Sequence, residues 1–242
     1  MATFRIHRYD PDAPEPSRVD SFEVPTERGM PVLKGLIYIF DNIDHSLAYR
    51  ASCGAALCGS CGMHINGRYR LACQTLIDDV ARGGVVEIRP LSHLPVLRDL
   101  VVGMSGFMEQ WRSVRPYLIC EHALPEREHL QSPAERQRLD GLVDCIMCGA
   151  CYAACPSARE NKAYLGPHAM LKALRFIEDS RDDRGEERLA QVASDDGAFR
   201  CHTVFNCQTV CPKDLDPAGA IVRIRQLAVR GLVRETPRPE PS

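Results

Sequence analysis

Apolar and polar residues alternate from Thr3 to His7 and again from Val19 to Val24, and a period of two predicts two β-strands that each bury one face. Pro31 then opens a helix whose Val32, Leu33, Leu36, Ile37 and Phe40 fall at helical spacing and should pack across that sheet. A long cysteine-bearing loop follows. Asn66-Gly67, set between Met63-His64-Ile65 and the segment to Leu71, predicts a two-residue hairpin, and Val85 to Ile88 a closing strand. The first part of the chain therefore reads as a small mixed sheet ending near Pro90.

From Pro95 the pattern turns helical. Val96 to Trp111 predicts a connecting helix, and further helices are expected over Pro133 to Leu142, Pro167 to Glu178, Glu186 to Val192 and Pro217 to Val229, several of them opened by proline. The expectation is an α+β chain of two domains, residues 1–95 and 96–234, with a proline-rich, charged tail at 235–242 that reads as disordered.

Length supports this division, since 242 residues suffice for two domains that each bury a core. The net charge of -2 argues against nucleic acid as the main partner. No stretch approaches the ~20 apolar residues of a membrane span. The opening MATFRIHRYDPDAPEP lacks the apolar core of a signal peptide, so the chain is expected to stay in the cytoplasm.

Twelve cysteines alter the picture, because cysteines grouped tightly in a reducing compartment are more often metal ligands or redox centres than disulfides. Cys53, Cys58, Cys61 and Cys73 stand as C-x4-C-x2-C with a distant fourth, the spacing of a plant-type 2Fe-2S site. Small residues, Gly54, Ala55, Ala56, Gly59, Ser60 and Gly62, give that loop the freedom to wrap a cluster and turn backbone amides toward its sulfurs. A structural zinc site is the alternative, but it generally uses two close cysteine pairs.

Cys145, Cys148, Cys151 and Cys155-Pro156 form C-x2-C-x2-C-x3-C-P, the bacterial ferredoxin run whose fourth cysteine ligates the other cluster. The partner run is Cys201-x2-Val204-x2-Cys207-x3-Cys211-Pro212, with valine at the second cysteine position. Exchange of the fourth cysteines gives Cys145, Cys148, Cys151 and Cys211 to a 4Fe-4S cluster, and only Cys155, Cys201 and Cys207 to the other. A corner without a ligand loses its iron, which leaves 3Fe-4S. A hydratase would instead keep an open iron for substrate, yet Val204 offers neither a ligand nor a polar pocket there, so electron relay is favoured. Cys120 is left over and reads as an ordinary thiol.

This arrangement, together with Arg70-Leu71-Ala72-Cys73, Leu165-Gly166-Pro167, Glu178-Asp179-Ser180-Arg181-Asp182, Arg200-Cys201-His202 and Cys211-Pro212-Lys213, resembles the iron-sulfur subunits of succinate dehydrogenase and fumarate reductase over nearly the whole chain. The resemblance implies a β-grasp first domain, a helical ferredoxin domain, a flavoprotein partner with FAD, and a membrane anchor at which quinone reacts and haem b is sometimes bound. Electrons would run from flavin through the 2Fe-2S, 4Fe-4S and 3Fe-4S clusters to quinone, with the chain held peripherally on the cytoplasmic side of the membrane. It also implies that Pro156, His202, Val204 and Arg225 lie near the quinone. His202 either bonds a quinone oxygen or haem propionate, or donates to a cluster sulfur.

Two positions depart from ubiquinone-using relatives. Ser157-Ala158-Arg159-Glu160 replaces the tryptophan that they carry after Cys-Pro, and Arg225 stands where lysine is common, which points to a low-potential quinone such as menaquinone. The same relay run as a fumarate reductase, or serving another flavoprotein, is the alternative. Relays of the latter kind often carry adjacent cysteine pairs, which this sequence lacks.

Overall fold

The computed structural model describes residues 1–121 and 128–235, so the tail expected over 235–242 lies outside the described residues save for Glu235. By its contacts the chain divides into two compact units, one of residues 1–107, 146–154 and 209–214, the other of 108–145, 155–208 and 215 onward.

In the first unit, β1 (Ala2–Tyr9) and β2 (Ser17–Val24) pair antiparallel from Ala2 opposite Val24 to Tyr9 opposite Ser17. With β3 (Gly62–Ile65), β4 (Arg68–Leu71) and β5 (Val85–Arg89) they form one sheet in the order β2-β1-β5-β3-β4, in which β5 runs parallel to β1 and antiparallel to β3. The segment expected to close the sheet is thus its centre. Asn66 and Gly67 have φ of 42° and 83°, the left-handed pair that a two-residue turn requires. The Asn66 carboxamide accepts from Glu87 N and donates to the Val80 and Val85 carbonyls, which fixes the hairpin to β5.

The helix α1 (Val32–Asn42) covers one face of the sheet, and Val32, Leu33, Leu36 and Ile39 join Phe4, Ile6, Met63, Ile65, Val86 and Ile88 in one buried core. A Cβ at Gly35 would meet the Phe4 ring at 2.3 Å, so glycine is what lets the helix lie so close. Ile37 and Phe40, expected on the buried face, are exposed. The i, i+4, i+7 stripe passes through Val32, Leu36 and Ile39 and leaves Ile37 outside it, while Phe40 meets the rings of His45 and Tyr49 edge-on at the helix end. The strand β2 also departs from expectation. Of its residues only Val24 is buried, because β2 is the sheet's edge strand.

Of the helix expected over Val96 to Trp111, the first part is instead a second small sheet, and only the residues from Ser105 are helical. Following α2 (Ile77–Val80) and β5, the chain makes β6 (Val96–Arg98) and β7 (Val101–Val102), and a helix, α3 (Ser105–Ser113), begins only afterwards. Asp99 explains the break. It takes a left-handed φ of 45°, donates its backbone amide to the Tyr9 carbonyl, and accepts from the Tyr9 and Ala48 amides through its carboxylate. These bonds, made to residues far away in sequence, override helical periodicity.

The second unit is helical. The helix α4 (Pro133–Gln137) carries a capping box between Ser132 and Glu135, and ends before the expected Leu142. In chain order follow α5 (Ala150–Ala153), which belongs to the first unit, then α6 (Pro156–Glu160), α7 (Gly166–Ile177), α8 (Gly185–Val192), α9 (Asn206–Thr209) and α10 (Pro217–Glu235). Ala169, Met170, Leu171, Ala173 and Leu174 of α7 are buried, as are Ala218, Ile221 and Ile224 of α10, which packs on α7. Arg188 of α8 is fully buried against Asp182 at 3.0 Å, and donates to the carbonyls of Val114, Arg115 and Tyr117. Among the described residues no helix is long and apolar enough to cross a membrane.

Candidate iron-sulfur sites

Of the first cysteine group, Cys73 follows β4, and Cys53, Cys58 and Cys61 lie on the loop between α1 and β3. Gly54, Ala56 and Gly59 there take left-handed φ of 65°, 55° and 72°, and the resulting coil aims the amides of Ala55, Leu57 and Cys58 at Cys53 Sγ from 3.4, 3.3 and 3.3 Å. That is the geometry which stabilises a thiolate. Backbone bonding to Cys53, with help from the Ser60 hydroxyl 3.1 Å away, draws the Cys58 thiol down to about 6, whereas burial pushes Cys61 up to about 11. Cys58 interacts with Cys53, and Cys61 with both Cys73 and Cys58, as four thiols set about one cluster would.

Three members of the second group, Cys148, Cys151 and Cys211, belong to the same compact unit, whereas Cys145 ends a segment of the other. Met147 and Gly149 have φ of 55° and 81°, so the chain winds left-handed on both sides of Cys148. The backbone of this turn rests directly on the first loop. A Cβ at Gly59 would come within 2.7 Å of the Ile146 carbonyl oxygen, and one at Gly62 within 2.8 Å of that of Cys148. These glycines, read from sequence as loop freedom, also permit close approach between two cysteine groups.

Cys155, Cys201 and Cys207 gather in the second unit and line one pocket with Pro156, Tyr164, His202 and Val204. Cys155 caps α6, and Cys207 lies in α9. Burial, then the neighbouring sulfurs Cys155 and Cys201, pushes the Cys207 thiol up to about 12, and burial raises Cys155 as well. Cys155 and Cys207, held this way, need an electropositive guest to stay deprotonated. Val204 is 51% exposed, between Thr203 and Phe205, whose φ are 56° and 60°.

Two family models match, a 2Fe-2S iron-sulfur cluster binding domain over residues 3–109 and a 4Fe-4S dicluster domain over residues 141–215. A succinate dehydrogenase iron-sulfur subunit of Paracoccus denitrificans is 45% identical over 232 residues, which cover 95% of this chain and 89% of that protein. The chain belongs to the family of succinate dehydrogenase iron-sulfur subunits.

A chain of the Mycobacterium smegmatis Sdh1 complex in the apo form superposes with a TM-score of 0.86 at 27% identity, covering 97% of this chain and 96% of that one. A hypothetical protein from Helicobacter pylori shares the fold at 12% identity and a TM-score of 0.57, over 93% of this chain and 39% of that one. For a subunit of this family, the residues around the third group gain meaning. His202 is exposed beside Cys201. Arg225, on α10, is turned inward and bonds the carbonyls of Ala198 and Cys201 and the hydroxyl of Thr203. Sequence spacing gave no sign of that engagement. The leftover Cys120 has its sulfur 3.6 Å from His129 Nε2.

Proposed function

We propose that this chain is the electron wire of a succinate:quinone oxidoreductase, with Cys53, Cys58, Cys61 and Cys73 holding a 2Fe-2S cluster, Cys145, Cys148, Cys151 and Cys211 a 4Fe-4S cluster, and Cys155, Cys201 and Cys207 a 3Fe-4S cluster. When bound, these clusters supply one-electron steps between a flavin that releases two electrons and a quinone that takes two. Residues 1–95 are read as a β-grasp 2Fe-2S domain and 96–234 as the helical ferredoxin domain, of which 146–154 and 209–214 pack with the former. The packing of Ile146 to Cys148 on Gly59 and Gly62 supports this reading, because it brings the first ligand set together with Cys148, Cys151 and Cys211 of the second within one compact unit.

The protein's own contribution is to position and tune. The amides around Cys53 favour the anionic sulfur, Cys155 and Cys207 are buried at the third site, and glycines shorten the path between the first two. In this reading an FAD-bearing flavoprotein meets the first domain and a membrane anchor, with or without haem b, meets the second. The complex holds the chain peripherally on the cytoplasmic face. Pro156, His202 and Val204 share the pocket of the third cysteine group, which supports a quinone site nearby, and Ser157 to Glu160 in place of a tryptophan supports menaquinone.

Metal analysis and electron paramagnetic resonance of the purified complex test the assignment. About nine irons per chain and a three-iron signal in the oxidised state are expected. Zinc in place of iron, or an oxidised sample without that signal, would overturn it.

A further inference from the structure

Arg225 lies a little over two turns into the last helix and directs its whole guanidinium fork to the stretch of chain that carries Cys201. Nε donates to the Ala198 carbonyl at 2.8 Å, Nη2 to the Cys201 carbonyl, and Nη1 to Thr203 Oγ1 at 3.2 Å. Ala198 to Arg200 form a single 3-10 turn that Cys201 terminates, and Arg225 adds a second donor to the Ala198 carbonyl, which already accepts from Cys201 N, and one to the Cys201 carbonyl. The third acceptor belongs to a residue in an unfavourable conformation. Thr203 is β-branched and has φ of 56°, a region that such residues rarely enter unless neighbours hold them there.

This conformation has one chemical product. It turns the Thr203 amide back on the preceding ligand, so that Thr203 N donates to Cys201 Sγ at 3.3 Å. A hydrogen bond to a ligand sulfur favours the more negative, reduced cluster and so raises its potential. We propose that Arg225 is a positioning residue that raises the redox potential of the cluster bound by Cys201, by holding Thr203 in the left-handed turn that aims its amide at the Cys201 sulfur. The inference rests on the reading of Cys201 as a ligand of the three-iron cluster. It gives Arg225 a task different from touching quinone.

Lysine keeps the charge of Arg225 but has no planar fork to reach three acceptors, so it separates positioning from electrostatics. The test is a redox titration of the three-iron signal by electron paramagnetic resonance, in membranes that hold the intact complex. Arg225→Lys should lower the reduced-to-oxidised ratio at a fixed potential about tenfold, equivalent to ~59 mV for one electron. Adding Thr203→Gly to that variant should restore most of the loss, since glycine enters the left-handed region without a clamp. Should the lysine variant not assemble, Thr203→Ser and Thr203→Val form the second test. Serine keeps the hydroxyl and should titrate like the natural protein, and valine should titrate lower.

An Arg225→Lys variant at the natural potential overturns the proposal, as does a lowered potential that Thr203→Gly leaves unrepaired, or a valine variant that titrates like serine. Absence of the three-iron signal from the natural complex is a different result. It removes the ligand assignment itself, and the proposal with it.

Discussion

Arg8 and Asp99 meet inside the first unit, Nε to Oδ1 at 3.0 Å, with only 3% and 4% of their side chains exposed. Arg8 also binds Asp44 at 2.5 Å and Asp20 at 3.1 Å, and donates to the Ser46 hydroxyl. Asp99 accepts the Ala48 amide, and Arg50 donates to the Val102 carbonyl. Through these bonds β1, the end of α1 and the β6–β7 turn are tied to the segment that delivers the chain to Cys53.

Replacing Arg8 by methionine would leave Asp99 buried without its counter-charge. Removing one partner of a buried pair typically costs about 3–5 kcal/mol, because the remaining charge stays desolvated. At about 2–4 °C per kcal/mol for a chain of this size, the melting temperature should fall by roughly 10 °C. Thermal unfolding followed by visible cluster absorbance measures this. A shift within a few degrees of the natural protein would show that the pair is not a source of stability.

The same cluster predicts a response to acid. The Ser46 hydroxyl and the Arg8 guanidinium hold the Asp44 carboxyl down at about 2, against 3.8 in an unfolded chain. A depressed folded value contributes stability that is present above pH 3.8 and disappears as pH falls toward 2. Asp44→Asn should therefore be less stable than the natural protein at neutral pH, and the difference should shrink between pH 4 and 2. Denaturant midpoints across that range, read from far-ultraviolet circular dichroism, give the slope. Parallel curves for the two proteins would contradict the assignment.

The two iron-sulfur domains and the Asn66-Gly67 turn were legible in the sequence because each shows in a local rule, a fixed spacing of cysteines or a pair that accepts positive φ. The turn at Asp99 was not, since its left-handed backbone is held by Arg8, Tyr9 and Ala48 from far along the chain. Periodicity over Val96 to Trp111 carries no trace of those partners. The one-turn helices α5, α6 and α9 escaped for another reason: four or five residues are too few to show a 3.6-residue period. Gly59 and Gly62 were seen as flexible, but their closeness to Ile146 and Cys148 is a tertiary fact.

That closeness can be dissected with three alanines. Gly54 has a left-handed φ of 65° and open space where a Cβ would go, so Gly54→Ala pays only the conformational penalty, about 1 kcal/mol. Gly62 has no left-handed φ but would place a Cβ 2.8 Å from the Cys148 oxygen. Gly59 meets both obstacles, φ of 72° and 2.7 Å to the Ile146 oxygen. Overpacking typically costs about 1–3 kcal/mol, so stability should fall least for Gly54→Ala and most for Gly59→Ala. Electron transfer between the first two clusters, measured after rapid reduction, should slow for Gly59→Ala and Gly62→Ala and remain natural for Gly54→Ala. Equal rates in all three would mean that the contact does not set the path.

Val204 offers the most direct test of cluster identity. It stands where the ferredoxin pattern has a cysteine, in the pocket of Cys155, Cys201 and Cys207, and its side chain is half exposed. Cysteine is smaller than valine at the branch and has no left-handed φ to adopt there, since the unusual angles belong to Thr203 and Phe205. Val204→Cys should therefore be accommodated and provide a fourth thiolate. Iron should rise from about nine to about ten per chain, and the oxidised three-iron signal should vanish. The added thiolate charge should also lower the potential of that cluster and slow quinone reduction. Val204→Ala, which adds no ligand, should keep the signal and the natural iron content. If Val204→Cys retained the three-iron signal at full strength, the valine would not be what limits that site to three irons.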